Sequence, residues 1–171
     1  MIKTALPGVR LRFAQPGDAT QILEFIKSLA AYERMSDEVL ATEETIRKTL
    51  FGERAYAEVI FAELDGKAVG FALFFHNYST FVSRPGLYLE DIYIYPEYRG
   101  RGIGKMMMTY LAQLAVERDC GRFEWSCLKW NKPSLDFYAS LGAETMDEWV
   151  TLRVSGKKLK NLAGFFKPQE D

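Results

Sequence analysis

The chain has 171 residues, of which 48% are apolar and 26% are charged, and its net charge at pH 7 is −1. This length fits one domain with a sizeable core, and the composition is that of an ordinary soluble globular protein. The near-zero net charge excludes a general nucleic-acid-binding or anionic-membrane-binding surface.

Cysteine, histidine and the N-terminal residues set further bounds. Cys120 and Cys127 have no metal-ligand spacing, and His76 is the single histidine, which argues against a zinc site. The first seven residues lack the apolar stretch of a signal peptide. We therefore expect one cytoplasmic domain over residues 1–171, with free thiols and no metal.

The first half of the chain predicts a strand, two helices and a β-hairpin. Val9–Phe13 alternates apolar and polar residues, and Asp18 is a good N-cap for a helix that continues to about Tyr32. Thr42 begins a second, shorter helix. The hairpin comprises Ala57–Leu64, the turn Asp65-Gly66 and Lys67–Phe75.

The second half begins with a polar loop over Asn77–Pro85 and then alternates strands with helices. The predicted elements are the strand Leu87–Tyr95, the helix Gly102–Arg118, the strand Phe123–Leu128, a helix from Asn131 or Ser134 to Leu141, and the strand Trp149–Val154. This order indicates a mixed α/β domain with an antiparallel hairpin early and a βα crossover late.

A basic, glycine-rich segment joins a predicted strand to a predicted helix. It reads Tyr98-Arg99-Gly100-Arg101-Gly102-Ile103-Gly104-Lys105. Glycines let a backbone approach a ligand closely, and a helix N-terminus offers unpaired N–H groups and partial positive charge. The segment fits neither a P-loop nor a dinucleotide fingerprint. It predicts a pyrophosphate cradle, the alternative being a plain turn with solvated arginines.

Four segments of the chain carry a resemblance to a known family. They are Leu29-Ala30-Ala31-Tyr32-Glu33-Arg34-Met35, Leu87-Tyr88-Leu89-Glu90-Asp91, the basic loop, and Trp130-Asn131-Lys132-Pro133-Ser134-Leu135-Asp136-Phe137-Tyr138. Together they resemble the GNAT acyltransferases, and within that family the spermidine/spermine (diamine) and thialysine N-acetyltransferases. The similarity spans about residues 9–155. It implies the GNAT fold, acetyl-CoA as donor, a primary amine of a small molecule as acceptor, direct transfer within a ternary complex, and a homodimer.

The resemblance implies two catalytic residues. Tyr138 would donate a proton to the departing CoA sulfur, and Glu90 would contact the acceptor amine and relay its proton through water. Judged without the family, Tyr138 is a packed helix residue. For Glu90 the alternative is a solvated carboxylate at a strand edge, although a carboxylate inside an apolar strand is costly unless it is paired or functional. Asp91 alternates to the other face of the strand, so we expect it to be structural.

The resemblance also implies binding residues. The backbone of Ile92, Tyr93 and Ile94 would pair with the pantetheine arm. The pyrophosphate would be held by Arg99, Gly100, Arg101, Gly102, Ile103, Gly104 and Lys105, with Arg101 and Lys105 as its charge contacts. Further CoA contacts would come from Asn131, Lys132, Pro133 and Ser134, although Asn131 is also a helix cap. The acceptor would be bound by Tyr32, Glu33, Glu90 and Glu148.

The chain departs from the polyamine enzymes in two segments. The loop Tyr78–Gly86 has no acidic residue and carries Arg84, which favours a smaller or zwitterionic amine such as a thialysine-like amino acid. The segment Glu144–Trp149 is shorter than in the family. Two other functions stay open: a non-catalytic CoA-sensing module, and a protein-lysine or N-terminal acetyltransferase.

Overall fold

A computed structural model describes residues 1–168, and the chain divides into two compact units, Met1–Ser126 and a second that begins at Cys127. The first unit contains a six-stranded sheet in sequential order. Its strands are β1 (Ile2–Lys3), β2 (Val9–Phe13), β3 (Glu58–Leu64), β4 (Lys67–Ser79), β5 (Arg84–Ile94) and β6 (Arg122–Trp125). The first five strands pair antiparallel, and β6 runs parallel to β5. The predicted mixed α/β fold is confirmed.

Residues 1–168 contain five α-helices. The first unit contains α1 (Ala19–Tyr32), α2 (Glu43–Phe51) and α3 (Ile103–Glu117), and the second contains α4 (Lys132–Ser140) and α5 (Gly156–Ala163). Helix α2 begins as predicted, because the Thr42 hydroxyl accepts a hydrogen bond from the Thr45 backbone N–H at 3.1 Å. The apolar stripe of α3 is buried at Ile103, Met107, Leu111, Leu114 and Ala115.

An aromatic core lies between the sheet and α1. The Phe25 ring stacks on Phe71, with centroids 5.0 Å apart, and on Tyr95, with centroids 4.6 Å apart. Buried residues of α2 and β3 complete this cluster. The core anchors α1 to β4 and to the end of β5, which are the elements that position the candidate site.

The hairpin of β4 and β5 is longer than the sequence predicts. We expected a loop over Asn77–Pro85, but the two strands pair as far as Ser79 opposite Arg84. The Tyr78 hydroxyl lies 2.9 Å from the Ser83 hydroxyl at the tip. Polar residues and a proline are tolerated here because the hairpin end is largely solvated.

The last predicted strand is wrong. Residues 149–154 form no strand, and Trp149, Val150 and Leu152 are exposed. Alternation of apolar residues predicts a strand only where a neighbouring strand supplies hydrogen-bond partners. The helix α5 that follows was not predicted, nor was the two-residue strand β1.

Among residues 1–168, no helix is both long enough and apolar enough to cross a membrane. Cys120 and Cys127 are free thiols.

Candidate active site

Strand β5 changes its pairing with β4 at Glu90. Asp91 lies opposite Leu73, whereas Leu89 lies opposite the next residue, Phe74. Glu90 is therefore the extra residue of a β-bulge, and it is exposed. A bulge interrupts the alternation of side chains along a strand and re-aims those beside it.

The same strand also parts from β6. Their pairing begins at Gly86 with Arg122 and ends at Leu89 with Trp125, and β5 continues to Ile94. Within the described part of the first unit, the backbone of Ile92–Ile94 therefore has no strand partner on its β6 side. This is the stretch expected to pair with an extended ligand.

The charges of Glu90 and Glu33 both act on Asp91 at the bulge, and we call these three residues the acceptor carboxylates after the role predicted for Glu33 and Glu90. Burial, and then the negative charges of Glu90 and Glu33, raise the pKa of Asp91 to about 6. Burial also raises the pKa of Glu33. Such a group favours a cationic ligand, because an ammonium would offset both the cost of burying the carboxylates and the repulsion between them.

The structural role expected for Asp91 stays a prediction. Simple alternation sets Asp91 on the face opposite Glu90; the bulge interrupts that alternation, and the charges of both Glu90 and Glu33 act on Asp91. Two adjacent acidic residues inside an apolar strand were the signal available in the sequence. In a regular strand one of the two must enter a covered face, which is costly without a role.

Glu33 is held by a well-formed helix end. Its backbone N–H donates to the Leu29 carbonyl at 2.9 Å, and the N–H of Met35 donates to the Ala30 carbonyl at 2.8 Å. Arg34 adopts the left-handed conformation, with φ of 63°. These are the marks of a Schellman-type helix end, which fixes the direction in which Glu33 leaves α1.

The residues from Tyr95 to Lys105 run from the end of β5 into the first turn of α3, and we call this segment the cofactor loop. Gly100 and Gly102 have φ of 74° and 81°, values that favour glycine. The N-cap of α3 is Gly102, which has no side chain to cap the helix, and the first hydrogen bond of α3 runs from the Met106 N–H to the Gly102 carbonyl at 2.9 Å. The preceding N–H groups of this first turn are thus available to an anion.

The cations of this loop differ in their contacts. Arg99 Nε donates to the Ile94 carbonyl at 2.9 Å. Arg101 Nη2 donates to the Glu97 carbonyl at 3.2 Å. Lys105 lies exposed in the first turn of α3. The resemblance implies Arg101 and Lys105 as the charge contacts of the pyrophosphate, and the structure turns Arg99 back toward β5.

The second unit carries the remaining predicted residues. Of the two candidate caps, Asn131 begins α4: its Oδ1 accepts from the Ser134 N–H at 3.4 Å, and Pro133 lies in the first turn. Asn131 is only 6% exposed, so its amide has a structural role as well. Lys132 forms an ion pair with Asp136 at 2.8 Å.

Tyr138 and Glu148 also lie in this unit. Tyr138 is half-buried on α4, and its ring lies 5.4 Å from that of Phe137. Glu148 is exposed in a turn outside any helix or strand. Their roles toward CoA and the amine stay predictions.

Comparison with known proteins identifies the family of the chain. Residues 22–143 match the model of the acetyltransferase (GNAT) family. The chain belongs to the GNAT acetyltransferase family. A solved integron cassette protein from V. cholerae superimposes with a TM-score of 0.77 at 26% identity, covering 91% of this chain and 98% of that one.

Named members of the family include close relatives. Thialysine N-epsilon-acetyltransferase from Sus scrofa is 38% identical, over 93% of this chain and 99% of that protein. L-ornithine N5-acetyltransferase from Arabidopsis thaliana is 30% identical, over 90% of this chain and 87% of that protein. A human spermidine/spermine N(1)-acetyltransferase-like protein is 32% identical, over 95% of this chain and 25% of that protein. The predicted branch of the family is confirmed, and the chain is an N-acetyltransferase.

Proposed function

We propose that this enzyme transfers the acetyl group of acetyl-CoA to the side-chain amine of a small diamino acid of the thialysine or ornithine type. The observation that carries the proposal is the group of acceptor carboxylates at the β5 bulge. The raised pKa values of Asp91 and Glu33 support an acidic, partly covered environment that a primary ammonium would complement.

The donor side is supported by backbone geometry. The uncapped start of α3 and the left-handed Gly100 and Gly102 fit a pyrophosphate, and the unpaired β6 side of Ile92–Ile94 fits an extended pantetheine arm. In the second unit, the first turn of α4, from Asn131 to Ser134, would supply further CoA contacts. When bound, acetyl-CoA supplies the activated acetyl group.

The charges of the hairpin before Glu90 limit the class of amine that the enzyme would accept. The hairpin that precedes Glu90 has no acidic residue among positions 78–86. Arg84 forms an ion pair with Asp119 at 2.7 Å, so its positive charge repels a polycation less than the sequence suggests. The missing carboxylate is therefore the stronger argument against a long polyamine. The names of the thialysine and ornithine acetyltransferases support a diamino acid.

Glu90 would prepare the amine. Because it is the exposed residue of the bulge, water can reach its carboxylate and carry a proton from the ammonium to solvent. Tyr32 and Glu33 would bind the acceptor at the end of α1, with Glu148 as a further acidic contact. Asp91 would add negative charge that holds the ammonium before it loses its proton.

Tyr138 would complete the transfer by donating its phenolic proton to the CoA sulfur as the thioester bond breaks. A neutral phenol is a suitable acid for a thiolate, because their ordinary pKa values lie within about two units of each other. We further propose that both units act as one acetyltransferase domain, and that the enzyme is a homodimer. The cytoplasmic location stays a prediction.

Release of CoA thiol with a panel of amines tests the proposal. Thialysine, ornithine, lysine, putrescine, spermidine and a lysine peptide are offered in parallel with acetyl-CoA. We expect turnover on thialysine or ornithine to exceed that on spermidine and on the peptide. Preference for spermidine would move the acceptor to polyamines, and preference for the peptide would make this a protein acetyltransferase. CoA binding without turnover on any acceptor would favour a sensing module.

A further inference from the structure

Arg99 touches more than the cofactor loop that contains it. Its Nε donates to the Ile94 carbonyl at 2.9 Å. Its guanidinium carbon lies 4.8 Å from the centre of the Tyr32 ring and 5.1 Å from that of Tyr93. These distances are within the range of cation–π contact for both rings.

The two rings belong to the acceptor side of the site. Tyr32 is the last residue of α1, and Glu33 follows it as the helix C-cap. The rings of Tyr32 and Tyr93 are themselves 6.3 Å apart, and Tyr93 contacts Tyr95 edge to face at 5.9 Å. One guanidinium therefore bridges the end of α1 and the end of β5.

Arg99 is also placed to sense an anion. It directly precedes Gly100 at the entrance to the glycine turn, and the residue remains exposed despite its contacts with the rings. A guanidinium has five N–H donors, so one hydrogen bond to Ile94 leaves donors for a phosphate.

We propose that Arg99 is a positioning residue that connects the cofactor loop to the end of α1, so that cofactor binding orders Tyr32 and Glu33 for the amine. The inference rests on the proposed function in assigning the amine to Glu33. Binding at the two sites must then be coupled in both directions by the same factor.

The test compares Arg99→Lys with Arg101→Lys. Lysine keeps the positive charge but loses the planar face and the Nε–H donor, which are the groups that bridge the rings. Arg101 is the matched control, because its contacts, the Glu97 carbonyl and the Tyr98 ring at 5.5 Å, both lie inside the cofactor loop.

Hydrogen exchange provides a readout that needs no amine. In the unmodified enzyme, saturating CoA should slow exchange of the Glu33–Met35 amides by about fivefold or more, a typical size of coupling between sites. Arg101→Lys at saturating CoA should keep this protection, and Arg99→Lys should lose it. Protection that survives in Arg99→Lys, or that is lost equally in Arg101→Lys, would overturn the proposal.

Calorimetry gives the second readout. The dissociation constant of thialysine is measured with and without CoA. We expect CoA to tighten thialysine binding about fivefold or more in the unmodified enzyme and in Arg101→Lys, and not in Arg99→Lys. A change in CoA affinity alone, with the coupling intact, would reduce Arg99 to a phosphate contact.

Tyr32 supplies a second pair of variants in case Arg99→Lys fails to fold. Tyr32→Phe keeps the ring and should keep the CoA-dependent protection, whereas Tyr32→Leu removes the ring and should lose it. Equal protection in both variants would contradict the bridge. If no amine is turned over while CoA still protects Glu33–Met35, the proposed function fails and the coupling stands.

Discussion

The cofactor loop favours an anion and the acceptor carboxylates favour a cation, and the two regions do so through different chemical groups. The loop presents backbone N–H groups at the start of α3, and its left-handed glycines shape the turn. The acceptor carboxylates are side chains from the end of α1 and from β5, far apart in sequence, and the charges of Glu90 and Glu33 both act on Asp91. A backbone site can be read from a short motif, whereas a side-chain site depends on how distant elements meet.

The largest expected effect comes from a change that should leave both regions intact. Tyr138→Phe removes only the phenolic O–H, so the leaving sulfur loses its acid. We expect kcat to fall by roughly 10²–10⁴-fold. Calorimetry should show unchanged affinity for acetyl-CoA and for the amine. An unchanged kcat would remove Tyr138 from the mechanism.

Gly102→Val should disturb the cofactor loop and leave the acceptor carboxylates unchanged. Gly102 has φ of 81°, which a β-branched residue resists at a cost of about 1–2 kcal/mol. The side chain would also stand where the phosphates approach, so we expect CoA affinity to fall by about 10-fold or more. Gly17→Ala is the control, because a Cβ there meets nothing within 4 Å and its backbone is not left-handed. Unaltered CoA affinity in Gly102→Val would contradict the assignment of the loop.

Glu33→Gln should weaken binding of the amine and leave the cofactor loop unchanged. The amide keeps the shape but removes a charge that would pair with the ammonium, an interaction worth about 1.5–3 kcal/mol when partly covered. We expect the KM for the amine to rise about 10-fold, with unchanged CoA affinity. Glu38→Gln, at an exposed position in the next turn, should change neither value. A larger effect on CoA than on the amine would show that the two regions are not separate.

Asp91→Asn should change how the stability of the fold depends on pH. The pKa of Asp91 is raised to about 6 in the folded protein from 3.8, so the folded state binds the proton more tightly than the unfolded state. The ionised form therefore destabilises the fold above pH 6, and this loss is recovered as pH falls toward 4. Asparagine should raise the unfolding free energy by about 1–3 kcal/mol at pH 8. This range follows from the free energy that corresponds to a shift in pKa.

The same variant should gain little at pH 4, where Asp91 is protonated in the folded state. Denaturant unfolding at both pH values measures the difference. Asp37→Asn, at an exposed position, is the control for the removal of a carboxylate charge. A gain of equal size at both pH values would mean that the charge of Asp91 is not what limits stability.

Much of the fold could be predicted because it depends on local signals. Thr42 caps α2, Asp65-Gly66 turns with φ of 50° and 82°, and the apolar stripe of α3 is buried. These features depend on residues within a few positions of one another. The strand expected at Trp149–Val154 failed for the opposite reason, since a strand exists only where another strand pairs with it.

The sequence by itself determined the family, the glycine loop and the positions of Glu33, Glu90 and Tyr138 along the chain. Only the tertiary structure decided that β5 bulges at Glu90, that Asp91 shares its electrostatic environment with Glu33, and that Arg99 turns back onto Tyr32 and Tyr93. The physical reason is range. Motifs and caps are set by neighbours in sequence, whereas a bulge, a raised pKa and a cation–π contact are set by neighbours in space.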